Sequence, residues 1–169
     1  MLLRRALRGD LPLVPAATRL QQELLEPSFE EPEGEWGAEE LQVANLKKLA
    51  LALAGQAVQK FGLALESEQE VMATIGDILI DTYAAESAVL RAQQSGNPTH
   101  AQLARLFLGG ALDRSAGRAA TILPHLAQED DLRLLLSVAR RLTRHEPVDT
   151  IAQRRQLAAK VLEAGGYPG

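Results

Sequence analysis

In three long stretches, residues 38–63, 68–94 and 98–126, apolar side chains recur at intervals of three and four. Nowhere does the chain show the strict alternation that a half-buried strand needs. In the first stretch Leu46, Leu49, Leu53, Ala57 and Phe61 form one stripe, and Leu51, Ala54 and Val58 form a second. In the second, Met72, Ile75, Leu79, Tyr83 and Leu90 share a face that Val71, Ile78 and Val89 widen. Two apolar faces predict a helix packed between neighbours. The third carries Leu103, Leu106, Phe107, Leu112, Ile122 and Leu123. A chain patterned this way folds as all-α.

Glycine, proline and capping residues punctuate the stripes. Leu2 to Arg8 reads as a short helical piece closed by Gly9-Asp10, and Pro15 as the first residue of a helix running to Glu26. Pro27, Pro32, Gly34 and Gly37 stand among glutamates and mark a linker. Ser67-Glu68-Gln69-Glu70 has the capping-box pattern, in which two side chains satisfy two orphan amides. Asn97 and Pro98 fit the N-cap and first position of the third helix. Gly109-Gly110 costs about 2 kcal/mol against alanines in a bare helix, so the pair is expected to admit a neighbouring backbone. Pro124 kinks or ends that helix. Glu129, Asp130 and Asp131 favour a new N-terminus, followed by the stripe Leu132, Leu135, Leu136, Ala139 and Leu142. After Pro147, Asp149 or Thr150 caps a last helix to Ala164. The sum is an antiparallel up-and-down bundle of three long helices and two or three shorter ones. Residues 1–26 read as an N-terminal helical segment, 27–37 as an acidic linker and 38–169 as the bundle.

Composition removes several function classes. The 169 residues include no cysteine, which excludes disulfides, thiolate-held zinc, iron–sulfur clusters and thiol catalysis. The net charge of −4 is unevenly spread, with +3 over residues 1–22, −10 over 23–100 and +3 over 101–169. The basic third lacks the stacking aromatics that a nucleic-acid surface uses, so no nucleic-acid partner is expected. No apolar run is long enough to span a bilayer and MLLRRALRGD lacks a signal-peptide core, which together predict a cytoplasmic protein.

Candidate chemistry is sparse. His100, His125 and His145 lie far apart, and none follows a glutamate by three residues; His145-Glu146-Pro147-Val148-Asp149 lacks the second histidine and the helix of a zinc motif. No metal and no catalytic residue is therefore assigned. Asp77 and Asp81, four apart on one helical face, suggest a paired-carboxylate site. Arg114 and Arg118, four apart on the next helix, suggest an interhelical ion-pair ladder instead, or a subunit contact. The arginines at 140, 141, 144, 154 and 155 suit a solvated face better than a phosphate site. Trp36, the single tryptophan, sits in the acidic linker, either tucked against the bundle or free to anchor a partner.

Four segments carry a resemblance: Leu11-Pro-Leu-Val-Pro-Ala16, Asn45-Leu-Lys-Lys-Leu-Ala-Leu51, Glu68 to Ala92, and Arg140 to Pro168. In order and wording they resemble the C-terminal part of acyl-CoA dehydrogenases of the very-long-chain type. The resemblance implies an extra helical domain that follows an N-terminal catalytic region holding FAD and acyl-CoA. It implies that the catalytic glutamate, in a Tyr-Glu-Gly-Thr stretch, lies upstream of Met1, so no catalytic or cofactor residue carries over to this chain. The implied partners are that catalytic region and further copies in a homo-oligomer. Relatives on membranes use apolar and basic residues here, whereas this linker is rich in glutamate, which disfavours membrane association. The expected function is a non-catalytic domain of a fatty acid β-oxidation enzyme, with a role in structure and oligomerisation. The alternatives are a free-standing interaction module working through Trp36 and a small independent enzyme.

Overall fold

The computed structural model describes residues 12–25 and 32–166. The expected piece Leu2–Arg8 and the first part of the linker lie outside the described residues. Six α-helices follow in order: α1 (Leu13–Leu25), α2 (Gly37–Phe61), α3 (Gln69–Ser95), α4 (Pro98–Leu126), α5 (Glu129–Leu142) and α6 (Thr150–Glu163), with a 3-10 helix at Gly62–Ser67 between α2 and α3. The fold is an all-α bundle in which α2, α3 and α4 run antiparallel.

Local chemistry accounts for most of the boundaries. Asn97 accepts a hydrogen bond from the Thr99 amide at 2.9 Å, Pro98 follows, and Gly96 closes α3 at φ 61°. Asp149 caps α6 by accepting from Ala152 N at 2.9 Å. The capping box at Ser67 does not form. The 3-10 turn consumes Ser67, the N-cap falls on Glu68 without a side-chain cap, and the Glu68 carboxylate turns to His125 at 3.2 Å. The end of α4 is fastened there too: His125 stacks on Phe61 with ring centroids 5.5 Å apart, and Lys60 donates to the His125 carbonyl. A cation at the carbonyl end of a helix is favoured by the backbone dipole.

The core has two connected regions. One joins Leu20 and Leu24 of α1, Leu49, Leu53 and Ala57 of α2, Val71, Ile75 and Ile78 of α3, Ala119 and Leu123 of α4, and Val138 and Leu142 of α5. The other joins Val43 and Leu46 of α2, Ala85 and Val89 of α3, and Ala104, Leu108 and Leu112 of α4. The first half of α2 therefore lies beside the second half of α3 and the first half of α4.

Two expectations about packing change. Only one apolar face of α3 is covered: Val71, Ile75, Ile78 and Val89 are buried, whereas Met72, Leu79, Tyr83 and Leu90 are exposed. Backbone approach does not occur at Gly109-Gly110, where an added Cβ would meet side-chain atoms of His145 at 3.8 Å and Arg114 at 3.1 Å. At Gly55 two helices do come close, since a Cβ there would lie 2.5 Å from the Ala17 Cβ of α1. Gly76, in the middle of α3, has nothing within 4 Å of an added Cβ.

These two glycines should respond oppositely to alanine. Gly55→Ala forces α1 off α2 and is expected to cost about 1–3 kcal/mol. Gly76→Ala removes backbone freedom from a helix without a clash and should gain up to about 1 kcal/mol. Thermal melts should show shifts of opposite sign, at roughly 2–4 °C per kcal/mol.

Candidate interaction site

The polar residues singled out by spacing meet along one edge of the α3–α4 seam. Arg114 grips Asp81 with two parallel hydrogen bonds, Nη2 to Oδ1 at 2.8 Å and Nε to Oδ2 at 3.0 Å. Arg118 also donates to Asp81 Oδ2, and its Nη2 lies 3.3 Å from Asp77 Oδ2. Asp77 thus pairs with Arg118, and Asp81 takes both arginines. Arg114 further lies over the Phe107 ring, 5.6 Å from its centroid. Two helices running antiparallel bring i and i+4 acids opposite i and i+4 bases, and this is the local reason for the cluster.

Asp81 is largely sheltered, with its side chain 13% exposed, while Asp77 is 56% exposed. The hydrogen bonds from Arg114 hold the Asp81 carboxyl below the usual carboxylate range; burial opposes them, and Arg118 adds to the depression. Arg114 is pushed up in return, chiefly by Asp81. A carboxylate that accepts three such bonds has most of its acceptor sites filled and a lowered basicity. It suits a clasp between helices and not proton transfer.

Trp36 stands at the N-cap of α2, half-buried against the second core region. The Arg105 guanidinium of α4 lies 4.9 Å over its ring, and Arg105 Nε donates to Glu39 Oε1 at 2.5 Å. Glu39 is itself buried at 9% exposure. Sequence reading had no signal for Arg105. Arg141, which the sequence analysis set on a solvated face with its neighbouring arginines, instead donates to the Leu24 carbonyl at 2.7 Å and so closes the end of α1. Among the described residues no group of three histidine, aspartate or glutamate side chains is placed to hold a metal. His145 sits in a loop, with Nδ1 3.2 Å from the Thr143 carbonyl and Nε2 3.7 Å from Asp113.

The pyrophosphate of a flavin dinucleotide is held by backbone amides at a helix N-terminus clear of carboxylates, or by cationic side chains. The cleft of about 670 Å³ between α1, α2 and α5 presents Gln21, Gln56, Gln59, Asp131 and a single cation, Lys60. That cation already donates to the His125 carbonyl. The cleft therefore does not fit such a cofactor.

Known proteins share this architecture. Residues 45–141, more than half of the chain, match the family model of the acyl-CoA dehydrogenase C-terminal domain. A probable acyl-CoA dehydrogenase of Bacillus subtilis (strain 168) is 38% identical over 173 aligned positions, covering 98% of this chain and 29% of that protein. The crystal structure of an acyl-CoA dehydrogenase complexed with FAD from Bacillus anthracis matches with a TM-score of 0.91 at 38% identity, over 99% of this chain and 30% of that one. The chain belongs to the acyl-CoA dehydrogenase C-terminal domain family. It spans less than a third of the length of these relatives.

Asp81→Asn should lower stability by about 1–3 kcal/mol at neutral pH, because two guanidinium groups lose their charged acceptor. A folded-state pKa below the ordinary value of 3.8 means that the stabilisation is complete above that value and lost as pH falls through the folded one. The melting temperatures of parent and variant should therefore converge as the pH is lowered past 3.8. A constant gap would assign the effect to shape instead of charge.

Proposed function

We propose that this chain is the non-catalytic helical domain of an FAD-dependent acyl-CoA dehydrogenase of the very-long-chain type, acting in fatty acid β-oxidation. Its work is architectural: it packs against the flavin-binding portion of the enzyme and sets how copies assemble. The observation that carries the reading is the match across nearly the whole chain to less than a third of an FAD-bound acyl-CoA dehydrogenase.

The described side chains support the same division of labour. Asp81 and Asp77 are held by arginines, Glu39 by Arg105, and Glu86 by Lys47 at 2.5 Å. In this proposal FAD and the acyl-CoA thioester bind elsewhere in the polypeptide. There FAD would supply the oxidant for desaturating the acyl chain, and the bundle contributes position and stability. The Asp81–Arg114–Arg118 cluster and the Trp36–Arg105 contact hold the bundle in the shape that the rest of the enzyme meets. A cytoplasmic enzyme is part of the proposal, since the run of glutamates from Glu23 to Glu40 disfavours an anionic membrane surface.

The test is the mass of the native polypeptide carrying these peptides, with flavin absorbance recorded on the same fraction. The expected result is a flavin-bearing chain roughly three times the 18.3 kDa of this one, as the relatives' lengths imply. The 169-residue chain alone should show no acyl-CoA oxidation. A native polypeptide of 18.3 kDa without flavin would overturn the proposal in favour of a free-standing helical module.

A further inference from the structure

The uncovered face of α3 is unlike an ordinary solvent face. Met72, Leu79, Ile80, Tyr83 and Leu90 are 49%, 53%, 67%, 74% and 49% exposed. At 100° per residue they fall in a sector roughly 100° wide that also holds Gly76 and Ser87, with Glu86 and Arg91 each about 20° beyond its edges. The strip runs about 27 Å along the helix, with the Glu86–Lys47 ion pair at one edge and Arg91 at the other. Solvent-facing helical surfaces normally carry charges at such positions, and a soluble monomer rarely exposes a continuous apolar area of this size. Toward α4 the strip passes over Ala84 and Ala88 into a groove of about 520 Å³ walled by Phe107, with the exposed Arg91 at its side. Gly76 lies inside the strip, and nothing within the bundle requires its missing Cβ. A glycine there costs the helix about 1 kcal/mol and leaves room for another backbone to come close.

Other exposed apolar residues do not make such a surface. On α6, Arg154 and Arg155 flank the line between Ile151 and Leu162.

Resting on the function proposed above, we infer that this strip is the surface by which the bundle seats on the flavin-binding portion of the full-length dehydrogenase. An uncharged, apolar helical face of that portion lies along Met72 to Leu90, with an acidic group opposite Arg91. The choice of occupant follows from chain length and mass action. The relatives carry this bundle on a chain more than three times as long, so the remainder is tethered to the bundle. Tethering holds a partner at an effective concentration on the order of millimolar, which a second, untethered copy does not reach. Contacts between domains of one chain typically bury about 600–1,500 Å², and a strip of this length with its adjoining groove supplies one side of such a contact.

Hydroxyl-radical footprinting of the full-length holoenzyme, with mass and flavin content recorded on the same sample, tests the inference. Met72 and Tyr83 are expected to label at least tenfold more slowly in the holoenzyme than in the 169-residue chain. Leu162 on α6, 81% exposed, should label equally in both. The double substitution Leu79→Glu/Ile80→Glu replaces exposed side chains and should leave the helix content of the 169-residue chain unchanged. In the holoenzyme it should restore labelling of Met72. A photo-crosslinking residue at position 79 should attach to peptides of the flavin-binding portion. Equal labelling of Met72 and Tyr83 in both forms overturns the inference, as does attachment to α3 of a second copy. Either result leaves the functional reading intact if the polypeptide is long and carries flavin. A short polypeptide without flavin removes both.

Discussion

The close approach of α3 and α4 sets the rest of this structure. The most extensive contact in the bundle joins these two helices. Their seam is lined by Ala85, Ala92, Ala104 and Ala111, all 2% exposed or less, with Ile78, Leu108 and Leu112 filling the space between them. Small side chains let two helices approach until their larger neighbours interlock, and dispersion attraction rises steeply as the surfaces close. Ser115 lies in the same helix, fully buried and with no partner for its hydroxyl among the described residues. The seam explains its size but not its oxygen. The close approach has two further consequences. It brings Asp81 within reach of both Arg114 and Arg118, and it covers one side of α3 so fully that the other apolar side has no helix left to meet.

What the sequence made legible was period and punctuation. Intervals of three and four in residues 38–63, 68–94 and 98–126 identified α2, α3 and α4 to within about two residues at each end, because an amphipathic stripe is a property of the segment alone. Asn97-Pro98 and Asp149 were legible as helix starts for the same reason: an N-cap acts on amides two or three residues away. Partner choice was not local. The spacing of Asp77, Asp81, Arg114 and Arg118 says which side chains share a face, but only the register between helices decides that Asp81 takes both arginines. Arg105 over Trp36 and Arg141 on the Leu24 carbonyl belong to the same class, with partners 69 and 117 positions away. The misread capping box has a related cause. A 3-10 turn shifted the helix start by one residue, so the N-cap falls on Glu68, whose carboxylate meets His125 across the fold.

Glycine shows the same limit more sharply. A glycine pair inside a helix reads as a place of close approach, and Gly109-Gly110 invites that interpretation. In the structure the side chains of His145 and Arg114 occupy that space, while the single Gly55 admits Ala17 of α1. The cost of a helical glycine is visible in sequence; what the missing Cβ makes room for depends on which helix crosses there.

Membership in a dehydrogenase family and a bundle whose Glu39, Asp77, Asp81 and Glu86 are tied to arginines and a lysine fit together under the proposal that the chemistry lies in another part of the polypeptide. A domain that takes no part in catalysis has no need to keep a carboxylate free or a histidine poised, and its polar groups serve to hold helices in register. Sheltered acids such as Glu39 and Asp81 each meet a fixed guanidinium partner, since a buried charge left unpaired costs far more than the pair returns. An apolar strip obeys the opposite rule. It gains nothing from partners within the bundle and is stabilised only when water is displaced from it, at about 25 cal/mol per Å² covered. The same helix thus carries both kinds of surface. The Asp81 edge of α3 is complete within this chain, and the Met72–Leu90 edge becomes complete only against another surface.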